Sequence, residues 1–299
     1  MFTMEEHIKK ANTLIEAIPY IKFFRGSTVV IKYGGSASMD KDLRRLMMKD
    51  ITLFKLLGIQ IVLVHGGGPD IDENLKKLNK TSKFVDGLRI TDRETMEIVE
   101  MTLSGKKNKE LVNDIQANGI LAVGISGKDG MTLRVKKKFI NGLDIGFVGE
   151  IISVDTALIN CLLENGFVPV ISPIGVDDKG NTYNINADYA AVSIASALSA
   201  QKLIFITDVR GVMKDIKNPN SLISSMNIRE AEDAIEKKII SGGMIPKVKS
   251  CIEAIKNGVE RVHIIDAGIK HSMILEIFTQ EGIGTMFTKE EENNEYYEQ

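Results

Sequence analysis

Short runs of apolar, β-branched residues alternate along the chain with stretches whose apolar positions recur every three or four residues. "TVVIKY" precedes a helical pattern over 40–57, and "IQIVLVH" precedes one over 70–78. "VPVISPIG" leads to a helix over 187–198, "LIFITDV" to one starting at Ile228, and "RVHIIDA" to one over 272–280. Continuous apolar strands separated by amphipathic helices predict an α/β protein with a mostly parallel sheet covered on both faces. The alternation breaks between Met131 and Val154, where "LRVKKKFI", "NGLD" and "IGFVGEIISV" predict a hairpin, with "RVKKK" on its solvated face. No linker rich in Pro, Gly and Ser interrupts the pattern, so two lobes are expected to share one sheet. Ahead of the first core strand, Ile8, Ala11, Leu14, Ile15 and Ile18 are spaced as one stripe of an amphipathic helix. The acidic segment from Lys289 reads as a solvated terminus.

Composition narrows the function. A chain of 299 residues buries roughly 75% of its unfolded surface, enough for a large core. Charged residues make up 26% but nearly cancel, to a net charge of -2, so no broad field favours nucleic acid or an anionic membrane. Any anion must therefore be recognised locally. Cys161 and Cys251 stand far apart and only four histidines are present, which argues against a disulfide framework or a zinc site and fits the cytoplasm. The N-terminal stretch lacks the continuous apolar run of a signal peptide, and no segment is apolar for the roughly 18 residues that a membrane span needs.

Candidate chemistry lies in the turns. Three strands run into glycine-rich segments: Lys32 to Gly35, Gly66 to Gly68 and Gly124 to Gly130. Such turns let backbone N–H groups approach an anion, and a following helix adds the positive end of its dipole. The spacing excludes a dinucleotide fingerprint, because Gly34 and Gly35 are followed by Ser-Ala-Ser. It also excludes a P-loop, since "SGKKNKE" and "SGKDG" lack the required pattern, and no nucleophile elbow accompanies His65, which reads as structural. "SGGMIPKVKS", Ser241 to Ser250, reads in two ways. It is a helix restarted with Pro246 in its first turn, or a small-residue turn presenting N–H groups and Lys247 to an anion.

The motifs "VIKYGGS", "LVHGGGPDID", "DGLRITD", "TLSGKKNKELV", "GISGKDG", "YNINADYAA", "ITDVRGV" and "SGGMIPKV" occur in an order that resembles the amino-acid kinase family, in the branch acting on N-acetyl-L-glutamate. The resemblance runs from about Ala11 to Met286. It implies a three-layer αβα sandwich with an oligomerisation helix over 1–25. It also implies an N-terminal lobe over 26–200 for the amino-acid substrate and dimerisation, and a C-terminal lobe over 201–299 for ATP and an arginine site. The implied reaction is phosphoryl transfer from ATP, with Mg²⁺ carried by the nucleotide, to the side-chain carboxylate of N-acetyl-L-glutamate. A carboxylate with a pKa of about 4.3 is already ionised at neutral pH, so this acceptor needs no general base. What it needs is cationic and N–H stabilisation of the transferring group.

By the same resemblance Lys32 and Lys247 stabilise the phosphoryl group and Asp188 orients both. Asp188 taken alone also reads as a helix cap. Arg89 pairs with the substrate's α-carboxylate, Asn184 hydrogen-bonds the substrate, and Gly67 and Gly68 hold its carboxylate end. Gly34 and Gly35 cradle ATP phosphates, and Thr207, Asp208 and Gly211 lie along the nucleotide. No protein-bound metal is implied. The N-terminal helix and "HSMILEIFTQEGIGTM" resemble the arginine-inhibited branch of the family, which implies a hexamer built as a trimer of dimers. Tyr20, Lys202, His271, Glu276 and Gly282 are then the contacts for L-arginine. Two alternatives remain: a relative acting on carbamate, aspartate, glutamate or UMP, and a silent arginine sensor, for which loss of Lys32, Lys247 or Asp188 is the expected mark. All three residues are present.

Overall fold

The computed structural model describes residues 3–34, 40–215, 217–218, 220–279 and 282–289. The chain begins with α1 (Met4–Glu16) and α2 (Ile18–Phe24), then β1 (Thr28–Tyr33), α3 (Lys41–Leu56), β2 (Gln60–His65) and α4 (Gly68–Lys77). A short ribbon, β3 (Phe84–Val85) and β4 (Leu88–Arg89), leads into α5 (Arg93–Glu100), a π-helical segment over Met101–Lys107, and α6 (Asn108–Gln116). There follow β5 (Ala122–Ser126), β6 (Leu133–Ile140), β7 (Leu143–Val154), α7 (Ala157–Glu164), β8 (Val168–Ser172), β9 (Ile174–Val176), β10 (Thr182–Asn184) and α8 (Ala187–Ala197). The remainder comprises β11 (Lys202–Thr207), β12 (Ser225–Asn227), α9 (Ile228–Glu236), α10 (Met244–Lys256), β13 (Arg261–Asp266), α11 (Ser272–Ile277) and β14 (Thr285–Thr288).

Eight strands form one sheet in the order β12-β14-β13-β11-β1-β2-β8-β5, as the absence of a linker predicts. All its pairings are parallel except β13 with β14. Strand side chains alternate between the faces, which is why continuous apolar runs are needed. Val30, Val62, Val64, Leu203 and Phe205 enter one core, beneath α7, α8, α9 and α10. Val29, Ile31, Tyr33, Ile61, Leu63, Ile204 and Ile206 enter the other, beneath α3, α6 and α11. Each such side chain contributes about 1.5–3 kcal/mol over remaining exposed. The result is the expected helix–sheet–helix sandwich.

Local chemistry sets the helix starts. The Asp40 carboxylate accepts from the N–H groups of Asp42 and Leu43 at the head of α3. Asn227 and Glu230 form a reciprocal capping box on α9. Asn186 caps α8, accepting from Asp188 N–H at 2.8 Å and Tyr189 N–H at 3.3 Å.

Three expectations change, and the expected hairpin forms but gains partners. "VPVISPIG" is two strands, because Pro173 lacks an N–H for the ladder and the chain leaves the sheet there. The hairpin turns at Asn141 and Gly142, both at positive φ as a tight turn requires, and joins β9 and β10 in a small closed barrel. α11 stops at Ile277, short of the expected Gln280. The N-terminal stretch is two helices, and α1 buries none of its residues, leaving Ile8, Leu14 and Ile15 exposed. Gly35 and the acidic tail beyond Lys289 lie outside the described residues.

The barrel is tied to the ribbon segment at one crowded point. Thr91 N–H donates to Ile145 O at 3.0 Å and Phe147 N–H donates to Thr91 O at 2.6 Å. Gly146 between them has φ +83, and a Cβ there would lie 2.1 Å from Thr91 O. Gly146→Ala therefore combines a left-handed backbone penalty of about 1–2 kcal/mol with a backbone clash. A loss of at least about 2 kcal/mol in urea-unfolding free energy is expected, and an unchanged midpoint would contradict this account.

Candidate active site

Two lysines converge on one carboxylate where strand ends and helix starts meet. Lys32 projects from the penultimate position of β1, and its Nζ lies 2.8 Å from Asp188 Oδ1. Lys247, in the first turns of α10, places its Nζ 3.9 Å from Asp188 Oδ2. Asn186 does the capping of α8, so the Asp188 carboxylate is left to the lysines. Burial opposes ionisation of Asp188, but the charges of Lys32 and Lys247 outweigh it and hold its carboxyl below the ordinary range. The group is therefore an anion at neutral pH, and the trio carries one net positive charge.

Glycines keep this centre open. Gly66 N–H donates to Tyr33 O at 2.8 Å, joining the turns that follow β1 and β2. A Cβ at Gly34 would lie 2.7 Å from Lys32 Nζ, so a side chain there would displace the ammonium that Asp188 holds. A Cβ at Gly67 would lie 2.5 Å from Leu103 Cδ2. Gly67 and Gly68 open α4, whose free N–H groups and dipole favour an anion.

The groups expected to bind the acceptor gather beside that turn, Arg89 directly and Asn184 through Thr91. Arg89 on β4 is buried, and its Nη1 donates to Asp72 Oδ1 at 2.5 Å and to Ser82 Oγ. Its Nη2 reaches Gly68 O at 3.4 Å, and its guanidinium stacks 4.7 Å from the centre of the Phe84 ring. Burial raises the Asp72 carboxyl, but bonds from Arg89 and Ser82 and the Arg89 charge bring it below its ordinary value. Asn184 Nδ2 donates to Thr91 Oγ1 at 3.3 Å, and Thr91 Oγ1 donates to Arg89 O at 2.8 Å. Thr91 is a link that sequence reasoning missed, although it sits inside "DGLRITD".

The residues expected along the nucleotide differ in exposure. Thr207 ends β11, and its hydroxyl is engaged within the turn, accepting from Val209 N–H at 3.2 Å. Asp208 is exposed beside it. Gly211, at φ +145, passes so close to Thr285 that a Cβ would lie 2.5 Å from its Oγ1.

The expected effector residues divide. Glu276 Oε1 accepts from His263 Nδ1 at 2.7 Å, while Oε2 accepts from Ile283 and Gly284 N–H groups at 2.7 and 2.9 Å. Lys202 Nζ donates to His263 Nε2 at 3.0 Å. Burial and the Lys202 charge push the His263 imidazole down to about 4, so it is a neutral relay. Gly282, at φ +60, would bring a Cβ to 2.9 Å from Glu276 Oε2, and Tyr20 meets the Phe278 ring edge-on at 6.0 Å. His271 belongs elsewhere, bonding Asp50 of α3 at 2.6 Å. His263 was not anticipated, because one histidine in an apolar strand carries no pairing signal.

The family profile described as the amino acid kinase family matches residues 27–266. The chain belongs to the amino acid kinase family. An acetylglutamate kinase from Caldanaerobacter subterraneus is 54% identical over 285 residues, covering 95% of each chain. One from Heliobacterium modesticaldum is 50% identical over 295 residues, covering 96% of this chain and all of its own. N-acetylglutamate synthase from Neisseria gonorrhoeae, solved with coenzyme A and N-acetyl-glutamate, superposes with TM-score 0.83 at 27% identity. This chain is 94% covered in that match and spans 64% of the longer synthase. The fold reaches further, to a carbamate kinase of Giardia lamblia at TM-score 0.63 and 18% identity, covering 89% of this chain and 99% of the other.

His65 anchors the glycine turn shared by this family member's strand β2 and helix α4. Its Nδ1 donates to Gly66 O at 2.9 Å, and its Nε2 accepts from Asn108 Nδ2 at 3.2 Å, which fixes a neutral tautomer. Burial is the main cause that pushes its imidazole down to about 4. A base whose folded pKa lies below its unfolded value of about 6.5 is destabilising once the unfolded chain takes up the proton. Stability is therefore expected to fall as pH drops from about 6.5 through 4, by roughly 3 kcal/mol for this one group. Urea unfolding across that range should show the loss, and His65→Gln should flatten part of it; parallel slopes would reject the assignment.

Proposed function

We propose that the chain transfers the γ-phosphoryl group of ATP to the side-chain carboxylate of N-acetyl-L-glutamate, in arginine biosynthesis. The carrying observation is the pair of ammonium groups, Lys32 and Lys247, held from different elements by the single carboxylate of Asp188. Two anions repel as they approach, and one net positive charge beside glycine N–H groups offsets that repulsion most strongly when charge spreads in the transition state. The names of the relatives that are 50–54% identical support the choice of acceptor.

In this reading residues 26–200 hold the amino acid and residues 201–299 the nucleotide. Arg89 exchanges Asp72 for the α-carboxylate, Asn184 bonds the acceptor, and Gly67 and Gly68 direct N–H groups at the carboxylate end. Gly34 and Gly35 cradle phosphates, while Thr207, Asp208 and Gly211 flank the nucleotide, which brings its own Mg²⁺. A carboxylate oxygen attacks the γ-phosphorus as its bond to the β,γ-bridging oxygen breaks. The products are an acyl phosphate and ADP, and no proton is transferred.

A regulatory reading accompanies the catalytic one. The exposed apolar stripe of α1, with Ile8 54%, Leu14 72% and Ile15 62% exposed, fits burial against a second copy in a hexamer. The cluster of Lys202, Glu276 and Gly282 beneath α2 fits an L-arginine site with Tyr20 at its edge, and His271 joins it only by rearrangement. The same gonococcal synthase has been solved with L-arginine, at 27% identity and TM-score 0.78.

Coupled ADP release with N-acetyl-L-glutamate, alongside trapping of the acyl phosphate as its hydroxamate, tests the reaction. Turnover with carbamate, aspartate, glutamate or UMP but not with this acceptor would reject it. Lys247→Ala should lower kcat by about 10²- to 10³-fold, as for removal of one preorganised transition-state donor; near-normal kcat in the folded variant would contradict the role. A variant beginning at Arg25 should be a dimer that retains activity and responds far less to arginine. Light scattering and arginine titration check this, and a full-length dimer or unchanged inhibition would sink the regulatory reading.

A further inference from the structure

Behind the glycine turn lies a buried ion pair that the proposed chemistry does not use. Lys107 is 2% exposed, which is exceptional for lysine, and its Nζ lies 3.3 Å from Asp70 Oδ2. Asp70 is itself 8% exposed, and its Oδ2 has no hydrogen bond of good geometry among the described residues. Lys106 contributes little, because its Nζ is 4.0 Å from Oδ1 and its side chain is 45% exposed. The two partners come from elements that meet at the turn. Asp70 sits in the first turn of α4, and Lys107 ends the π-helical segment Met101–Lys107.

That segment is placed against Gly67. A Cβ on Gly67 would lie 2.5 Å from Leu103 Cδ2, 3.9 Å from Lys107 Cγ and 4.0 Å from Asp70 Oδ2. Leu103 and Lys107, four residues apart on the widened turn, thus press on the peptide that opens α4. Immediately beyond, Asn108 is fully buried and its Nδ2 lies within bonding distance of His65 Nε2, Ile125 O and Val170 O. The π-helical segment is therefore pinned to β2, β5 and β8 on one side and to the glycine turn on the other. π-bulges are rare and concentrate at functional sites. A buried ion pair is also a weak source of net stability, so its presence calls for another explanation.

We propose that Lys107 and Asp70 are positioning residues for the reaction, clamping the π-helical segment to α4 so that Gly67 and Gly68 aim their N–H groups at the acceptor. This rests on the reading of those glycines as the acceptor's cradle. Neither side chain touches substrate. Their effect is to hold the peptide planes rigidly, and a displacement of about 1 Å at such a point can cost as much as 10²-fold in rate.

The test separates aim from stability. Lys107→Met strands a buried carboxylate and removes the clamp, whereas Lys107→Met combined with Asp70→Asn removes the clamp without stranding a charge. Both variants should raise KM for N-acetyl-L-glutamate about tenfold and leave KM for ATP within about twofold. The thermal midpoint should fall in the single variant and recover in the double. Should Lys107→Met fail to fold, the double variant carries the same KM comparison. An acceptor KM within twofold of the parent in either folded variant overturns the proposal, as does a KM that recovers together with the midpoint. Arg89→Lys serves as the control for the acceptor site. If it raises the acceptor KM and the clamp variants do not, only the clamp is rejected. If none of the three raises it, the cradle itself is misassigned and the clamp falls with it.

Discussion

The Lys32–Asp188–Lys247 contact determines how the rest of the molecule must be built. Bringing two ammonium groups to one carboxylate requires a strand end, the start of α8 and the start of α10 to meet at one point. Like charges at close range are unfavourable, and the arrangement persists because Asp188 lies between them and is held ionised by both. Everything that frees Asp188 for this task matters as much as the lysines. Asn186 takes over the capping of α8, and Gly34 leaves room for the Lys32 ammonium.

Much of this was legible in the sequence, for reasons of period and backbone freedom. Strands such as Thr28–Tyr33 and Lys202–Thr207 are covered on both faces and so carry unbroken apolar runs, Val29–Ile31 and Leu203–Ile206, which no amphipathic helix imitates. Asn141 and Gly142 announced the hairpin because a tight turn needs positive φ at both positions. The short strands were invisible. Ile174–Val176 and Thr182–Asn184 have three residues each, too few to show a period, and besides each other they pair with β6 and β7, some 36–42 residues earlier in the chain, Val176 with Arg134 and Asn184 with Val148. The π-helical segment was equally hidden, since its apolar spacing differs little from that of the α-helices on either side.

At the site, residues with intrinsic chemistry in unusual backbone settings were the ones that sequence could nominate. Lys32 and Lys247 stand beside glycine turns, and Arg89 stands in a polar motif. The residues that only orient others carried no such mark. Thr91 is a buried threonine, Asn108 a buried asparagine and His263 one histidine in an apolar strand; each is defined by the partner it meets in the fold. The engagement of Arg89 with Asp72 and Ser82 could not be foreseen, because it joins β4 to a helix and a loop that only the fold brings together.

The uninterrupted sheet has a mechanical consequence. β1 is hydrogen-bonded to β2 on one side and to β11 on the other, so the strand carrying Lys32 is also the seam between the two halves of the molecule. Among the described residues the two halves are joined through the sheet itself, in which β1 pairs with β2 and β11. Any approach of Lys247 towards Lys32 must be taken up as twist distributed over parallel ladders, or as sliding of α10 on its bed beside α8. A twisted sheet behaves like a stiff leaf spring, storing energy over a small travel and returning it evenly. Such a seam ties the backbone of Lys32 to a strand on either side, so displacing that ammonium as a unit means straining two ladders at once.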